Sequence, residues 1–227
     1  MEALFDLSEE YDAMLNKGIS ISGENKMFFI EGRLNDIRSV LKNRYTIKRI
    51  LDFGCGIGDT TAKLAEYFPD ATEIVGTDLS DQALDYAKQK FGSNKIKFIN
   101  FDNFNLCDHF DLCYVNGVFH HIEPEKRANA IQMIYKALSK DGLFALCENN
   151  PWNPGTQYIM NKIPFDRDAQ KINYLNCIKL LKSGGFTDIV EIRFLFYFPR
   201  VLSFLRRLEK KLVKIPFGAQ YYVLAKK

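Results

Sequence analysis

The chain has 227 residues, long enough for one domain with a sizeable core. Apolar residues make up 47% and charged residues 26%, which excludes a disordered chain, and no run of eighteen or more apolar residues offers a membrane-spanning helix. Net charge is +3 but uneven: from Arg200 onward eight Lys or Arg face one acid, Glu209, so that segment carries +7 and the remainder −4.

Residues 1–46 read as helical, with a break around Lys17 to Glu24; Tyr11, Met14 and Leu15 form one apolar face, and Phe28, Phe29, Leu34, Ile37, Val40 and Leu41 another. The start, Met1-Glu2-Ala3-Leu4-Phe5-Asp6, lacks the basic and apolar stretches of a secretory signal, so a cytoplasmic location is expected. The five cysteines fit no zinc spacing and read as reduced, buried thiols, with no metal site expected.

Ile50-Leu51-Asp52-Phe53 then meets Gly54-Cys55-Gly56-Ile57-Gly58, and Ala62, Leu64, Ala65 and Phe68 follow at helical spacing. That order is strand, tight turn, helix, with Asp59 or Thr60 as the expected cap. Glycine at such a corner permits positive φ and lets a ligand approach the backbone. The unpaired amides of the helix start add partial positive charge. A dinucleotide site would need G-x-G-x-x-G, but here the third glycine comes one residue early and Asp59 stands in its place. Ile74-Val75-Gly76-Thr77-Asp78 reads as a buried strand ending in a carboxylate suited to ribose hydroxyls. Turn and acid together point to a nucleoside.

Ser80 caps the next helix, whose apolar side is Leu84 and Ala87. Lys95 to Phe101 alternates as a third strand before Asp102-Asn103. Phe110 to Val115 is the fourth, running into Asn116-Gly117-Val118-Phe119-His120-His121. Pro124 opens a helix with the stripe Ala128, Ile131, Ile134 and Leu138, and Leu143 to Cys147 is the fifth strand, ending at Glu148. Asn149 to Gly155 reads as an irregular loop, neither strand nor helix, within an insertion over 149–169. Ile172, Leu175, Ile178 and Leu181 mark a helix that Ser183-Gly184-Gly185 ends. Asp188 to Phe198 is a strand that turns aromatic. Val201, Leu205, Leu208, Leu212 and Ile215 then suggest an inserted basic amphipathic helix over 199–216, and Gln220 to Leu224 a last strand.

Asp52-Phe53-Gly54-Cys55-Gly56-Ile57-Gly58 resembles the first motif of class I S-adenosylmethionine-dependent methyltransferases. The likeness continues through Asp78, Asp102 and Phe110-Asp111-Leu112 to the Gly142 strand, over residues 47–148. It implies an α/β fold: a Rossmann-like, doubly wound, mostly parallel seven-stranded sheet with an antiparallel C-terminal hairpin strand and helices on both faces. The methyltransferase domain would span 47–227, under a helical lid of residues 1–46. It also implies S-adenosylmethionine as cofactor and S-adenosylhomocysteine as product. Gly54, Gly56 and Gly58 would hold the methionine end, with Asp52 near its amino group and Asn116 beside it. Asp78, with Leu79, would hold the ribose, and Asp102, with Phe101 or Asn103, the adenine. Tyr11 and the turn Ser22-Gly23-Glu24 are lid candidates.

His120 or His121 is the candidate general base, with only one expected to face the pocket; the other reading is a structural histidine bonding the loop backbone. Glu148, Asn149, Asn150, Trp152 and Asn153, and more weakly Phe165, Asp166 and Arg167, are candidates to hold a polar, sugar-like acceptor, or else only shape the turn. The expected reaction is metal-free, in-line O-methylation of a small-molecule, sugar or lipid-linked glycan acceptor. The basic helix suits peripheral contact with the inner membrane face, or packing on the core or a second subunit. Three rivals remain. A nucleic-acid methyltransferase would use the basic tail on phosphate, but Asn116-Gly117-Val118-Phe119 is no base-methylation motif. A non-catalytic S-adenosylmethionine-binding subunit is the second, and an NAD-dependent oxidoreductase, disfavoured by the glycine spacing, the third.

Overall fold

The computed structural model describes residues 18–163 and 169–227. Tyr11, Met14 and Leu15 of the expected lid, and Phe165, Asp166 and Arg167 of the loop, lie outside the described residues. A 3₁₀ turn at Ser20–Ser22 leads into α1 (Lys26–Leu41), capped by Asn25, which accepts the Phe28 amide. β1 (Arg49–Phe53), α2 (Asp59–Tyr67), β2 (Glu73–Asp78), α3 (Asp81–Phe91) and β3 (Ile96–Asn100) follow. Then come β4 (Phe110–Asn116), α4 (Pro124–Ala137), β5 (Leu138–Asn149), α5 (Pro154–Lys162) and α6 (Tyr174–Ser183). β6 (Asp188–Leu195), a 3₁₀ segment (Arg200–Leu208), the single turn α7 (Glu209–Leu212) and β7 (Gln220–Lys226) close the chain.

The seven strands lie in the order β3-β2-β1-β4-β5-β7-β6. β1 to β5 pair in parallel, and β7 runs antiparallel to both β5 and β6. A parallel sheet covered on both faces needs apolar residues at successive positions. Leu51, Cys113, Val115, Phe144 and Leu146 accordingly pack toward Ile131, Ile134, Cys177 and Leu181 of α4 and α6. Ile50, Leu112, Ala145 and Tyr222 pack on the other face toward Ile30, Leu34, Ile37 and Leu41 of α1 and Leu64 of α2. Strand order reverses between β1 and β4, so their following loops diverge and leave a crevice at the carboxyl ends.

Several local expectations are corrected. Gly58, with φ of 83°, is the cap position of α2, so Asp59 falls inside the helix and pairs with Lys26 at 2.8 Å. The expected loop at 149–169 holds α5, because Asn153 accepts the Thr156 amide and Pro154 occupies the first turn. The expected amphipathic α-helix over 199–216 is 3₁₀ from Arg200 to Leu208, with non-helical angles at Leu202. Ala128 and Leu175 face outward while Arg127, Ala130 and Cys177 are buried, and Leu138 opens β5 rather than ending α4. Cys107 is exposed, unlike the other four cysteines.

Candidate functional site

A cavity of about 1390 Å³ opens at the carboxyl ends of the central strands. Single small-ligand pockets run about 300–1,000 Å³, so this one has room for a nucleoside cofactor and a second ligand together. Gly54, Gly56, Asp78, Asp102, Asn116 and His120 all lie in its wall.

The glycine corner forms one side. Gly54 and Gly56 have φ of 76° and 52°, and the Gly54 and Cys55 amides donate to the Thr77 carbonyl, which ties the corner to β2. A Cβ built on Gly56 would meet nothing within 4 Å, so this backbone faces open cavity. Gly58 does not line the cavity: its Cβ would lie 2.9 Å from Ala87 Cβ and from the Phe98 ring. The third glycine therefore serves close packing of the corner on α3 and β3. Asp78 accepts the Gly56 amide at 2.8 Å and the Ser80 amide at 3.1 Å, so its carboxylate is held at the end of β2 by two backbone donors. Leu79 beside it is exposed and lines the cavity, as do Phe101 and Asp102. Asn103 does not.

Deeper in the cavity, Asp52 is buried and accepts the Thr61 hydroxyl at 2.7 Å. Burial pushes its carboxyl from the usual 3.8 to about 7; the Asp78 charge adds to that rise, while the Thr61 bond and Arg33 oppose it. Arg33, from α1, went unnoticed in the sequence. It is buried in the cavity wall, where Nε donates to the Tyr114 hydroxyl at 3.0 Å and a terminal nitrogen to Gln220 Oε1 at 2.6 Å. Among the described residues it forms no ion pair with a carboxylate, so a buried cation and a proton-holding acid share this end. Such a pair fits the zwitterionic end of an amino acid: a carboxylate for Arg33, an ammonium for Asp52. The only sequence hint of Arg33 is a cation at an otherwise apolar position of α1, between Ile30 and Leu34.

His120 and His121 both line the cavity, with ring centroids 4.1 Å apart, so the expectation that one would face away is corrected. His120 is buried, and its Nδ1 lies 2.5 Å from Glu148 Oε2 at the end of β5. The other Glu148 oxygen accepts the Phe119 amide at 2.8 Å. Burial favours a protonated Glu148, yet the His120 charge, the His120 bond and the Phe119 amide outweigh it and hold the carboxyl below its usual range. An ionised Glu148 accepts from His120 Nδ1 and so fixes the orientation of the ring.

The remaining acceptor candidates separate. Glu148, Asn150 and Trp152 do not line the cavity. The Asn150 side-chain amide donates to the Pro216 and Gly218 carbonyls, and that of Asn153 to the Phe217 carbonyl, so both tether the segment before β7. Trp152 packs edge-on against Tyr174 at 5.1 Å. Asn149 and Asn153 do reach the cavity wall, and Asn149 Oδ1 accepts from Gln220. Phe28, Phe29 and Phe196, whose rings touch, give the wall an apolar part, and Ile159 and Met160 also line the cavity. Ser22 and Glu24 border it, and Glu24 pairs with Arg206 at 2.7 Å, joining the N-terminal turn to the 3₁₀ segment. Among the described residues no group of three His, Cys, Asp or Glu side chains is placed to hold a metal ion.

Residues 51–144 match a family model described as a methyltransferase domain. With its sheet order and glycine corner, this part of the chain is similar to the class I S-adenosylmethionine-dependent methyltransferases, a class whose cofactor is S-adenosylmethionine. The chain is 27% identical, over 65% of its length, to a carboxy-S-adenosyl-L-methionine synthase of Nitratiruptor sp., and 26% identical, over 63%, to a trans-aconitate 2-methyltransferase of Variovorax paradoxus. The aligned segments span only 62% and 55% of those relatives. The structure of a SAM dependent methyltransferase from Archaeoglobus fulgidus superimposes with a TM-score of 0.66 and 18% identity, covering 89% of this chain and 95% of that one. That likeness shows the fold.

Proposed function

We propose that this chain transfers the methyl group of S-adenosylmethionine to an oxygen of a small-molecule acceptor, with His120 as general base and Glu148 as its positioning partner. One observation carries the reading: the buried His120, held from behind by Glu148, stands in the wall of the same cavity as the glycine corner, Asp78 and Asp52. When bound, the cofactor supplies a methyl group on a positively charged sulfur, an activated leaving group that asks for no metal. The chain's task is then alignment and proton removal. Asp78 would hold the ribose hydroxyls, Asp102 the adenine edge, Asp52 the methionine ammonium and Arg33 the methionine carboxylate. His120 Nε2 would take the acceptor proton, and the Glu148 carboxylate would stabilise the imidazolium that forms.

The apolar wall of Phe28, Phe29, Ile159, Met160 and Phe196 favours an acceptor with an apolar body carrying one nucleophilic hydroxyl. A sugar or lipid-linked glycan draws less support, because the side-chain amides of Asn150 and Asn153, two of the three loop asparagines, are bonded to backbone carbonyls. The test is formation of S-adenosylhomocysteine against a panel of hydroxyl-bearing acceptors. His120→Gln and Glu148→Gln are expected to leave cofactor affinity within about twofold and to lower turnover by about 10²–10⁴ and about tenfold or more, respectively. The Glu148 variant should also shift the acid limb of the pH–rate profile, which a purely structural role would not move. Tight cofactor binding without turnover on any acceptor would instead favour a non-catalytic binding subunit.

A further inference from the structure

We propose that the 3₁₀ segment and the turns after it form a docking surface for an anionic phospholipid bilayer, beside the mouth of the cavity. Val201 is 81% exposed, Phe204 72% and Phe217 60%, with Leu208 and Ile215 also exposed. Val201, Phe204 and Leu208 all lie exposed along the one segment Arg200–Leu208, although Leu202 breaks its helical geometry. An apolar cluster of this kind on a rigid element marks an interaction site rather than scatter.

The segment is held firmly from beneath. Glu209 accepts the amides of Tyr197 and Phe198 at 3.0 Å each, and Arg206 pairs with Glu24 and lies over the Phe28 ring at 4.5 Å. Glu209 is the only acid between residues 196 and 218, and its carboxylate is spent on those amides. Arg207, Lys210 and Lys211 are exposed and make no ion pair among the described residues. The exposed side chains of this stretch are therefore aliphatic, aromatic and cationic. That is the complement of a bilayer with negative headgroups, where the apolar side chains reach the acyl boundary and the cations meet phosphate. Nucleic acid would engage the cations but offer Val201 and Leu208 nothing. The position is informative too: Phe198, Pro199 and Arg206 line the cavity, and Arg200 reaches the Gly23 carbonyl across its rim. Docking here sets the cavity mouth against the lipid surface.

The full chain should be sedimented with vesicles of phosphatidylcholine alone and of phosphatidylcholine mixed with phosphatidylglycerol. The expected result is binding to the mixed vesicles about tenfold or more stronger than to the neutral ones, weakening with added salt. Lys210→Glu with Lys211→Glu, and separately Phe204→Ser, should each cut that binding about tenfold or more while leaving cofactor affinity unchanged by calorimetry, which also verifies folding. Absence of binding to the mixed vesicles, or binding that both variants leave intact, overturns the proposal. So does a dimer in sedimentation velocity that Phe204→Ser dissociates, since the patch would then belong to a second copy. Neither measurement involves turnover, so this proposal and the methyl-transfer reading stand or fall separately.

Discussion

Asp52 and Arg33 give the cavity a charge logic that bears directly on ligand binding. With its carboxyl pushed up to about 7 by burial, Asp52 holds a proton in the unliganded protein at mildly acidic pH. A cofactor ammonium beside it would favour the carboxylate, so binding would release that proton. Cofactor affinity should rise as pH increases from about 5 to 7, then level off, and Asp52→Asn should flatten the rise; titration calorimetry in buffers of different ionisation enthalpy would measure both. Stability without ligand should run the opposite way. Between about 4 and 7 the folded chain retains a proton that the unfolded chain has lost, so unfolding becomes easier as pH rises through that window and is insensitive to this group outside it. Asp78→Ala should raise the cofactor dissociation constant tenfold or more. A lost hydrogen bond to a charged group is worth about 1.5–3 kcal/mol, and the Gly56 amide would lose its acceptor as well. Unchanged affinity in that variant would remove Asp78 from the site. Asp78 was legible in the sequence because a carboxylate closing a buried strand after a glycine turn is a local pattern. Arg33 was not, since its significance arises only when α1 lies beside Tyr114 and Gln220.

At the scale of elements, the corner between β1 and α2 is a packing joint as well as a ligand cradle. Gly58 combines φ of 83° with a Cβ position 2.9 Å from Ala87. Left-handed backbone costs a side chain about 1–2 kcal/mol and overpacking about 1–3 kcal/mol. Gly58→Ala should therefore lower unfolding free energy by about 2–5 kcal/mol, seen as a reduced urea midpoint at unchanged slope. The two elements misjudged from sequence failed for different reasons. Pro154 read as a loop residue, although Asn153-Pro154 is also a cap followed by a first-turn proline, and α5 uses it that way. The 199–216 stretch does repeat its apolar residues at helical spacing, but Val201, Leu208 and Ile215 of that stripe are exposed, while the acid Glu209 is half-buried and accepts backbone amides. Periodicity identifies a helical stripe without saying whether protein, lipid or water covers it.

For the whole molecule, α1 is the strut that joins the first half of the sheet to the last strands. Asp36 of α1 pairs with Arg193 of β6 at 2.8 Å and accepts the Tyr222 hydroxyl of β7 at 2.8 Å, while Arg33 reaches Gln220. Ligand binding to a cavity assembled from such distant parts should stabilise the fold as a unit. Saturation at a hundred times the dissociation constant is worth about 2.7 kcal/mol, which for a chain of this size raises the melting temperature by roughly 5–10 °C. S-Adenosylhomocysteine should produce that shift in thermal unfolding, and Asp78→Ala, with a tenfold weaker site, should cut it to about half or less at the same ligand concentration.

The succession of strands β1 to β5, the glycine corner and its downstream acid were set by the sequence alone, because they rest on backbone sterics and apolar runs among near neighbours. The tertiary structure decided what the charged groups do. Glu148 became the partner of His120, Gly58 a packing joint, and Asn150 a backbone tether. Burial and the approach of groups as far apart in sequence as Arg33 and Gln220 set those roles, and neither quantity exists until the chain has folded.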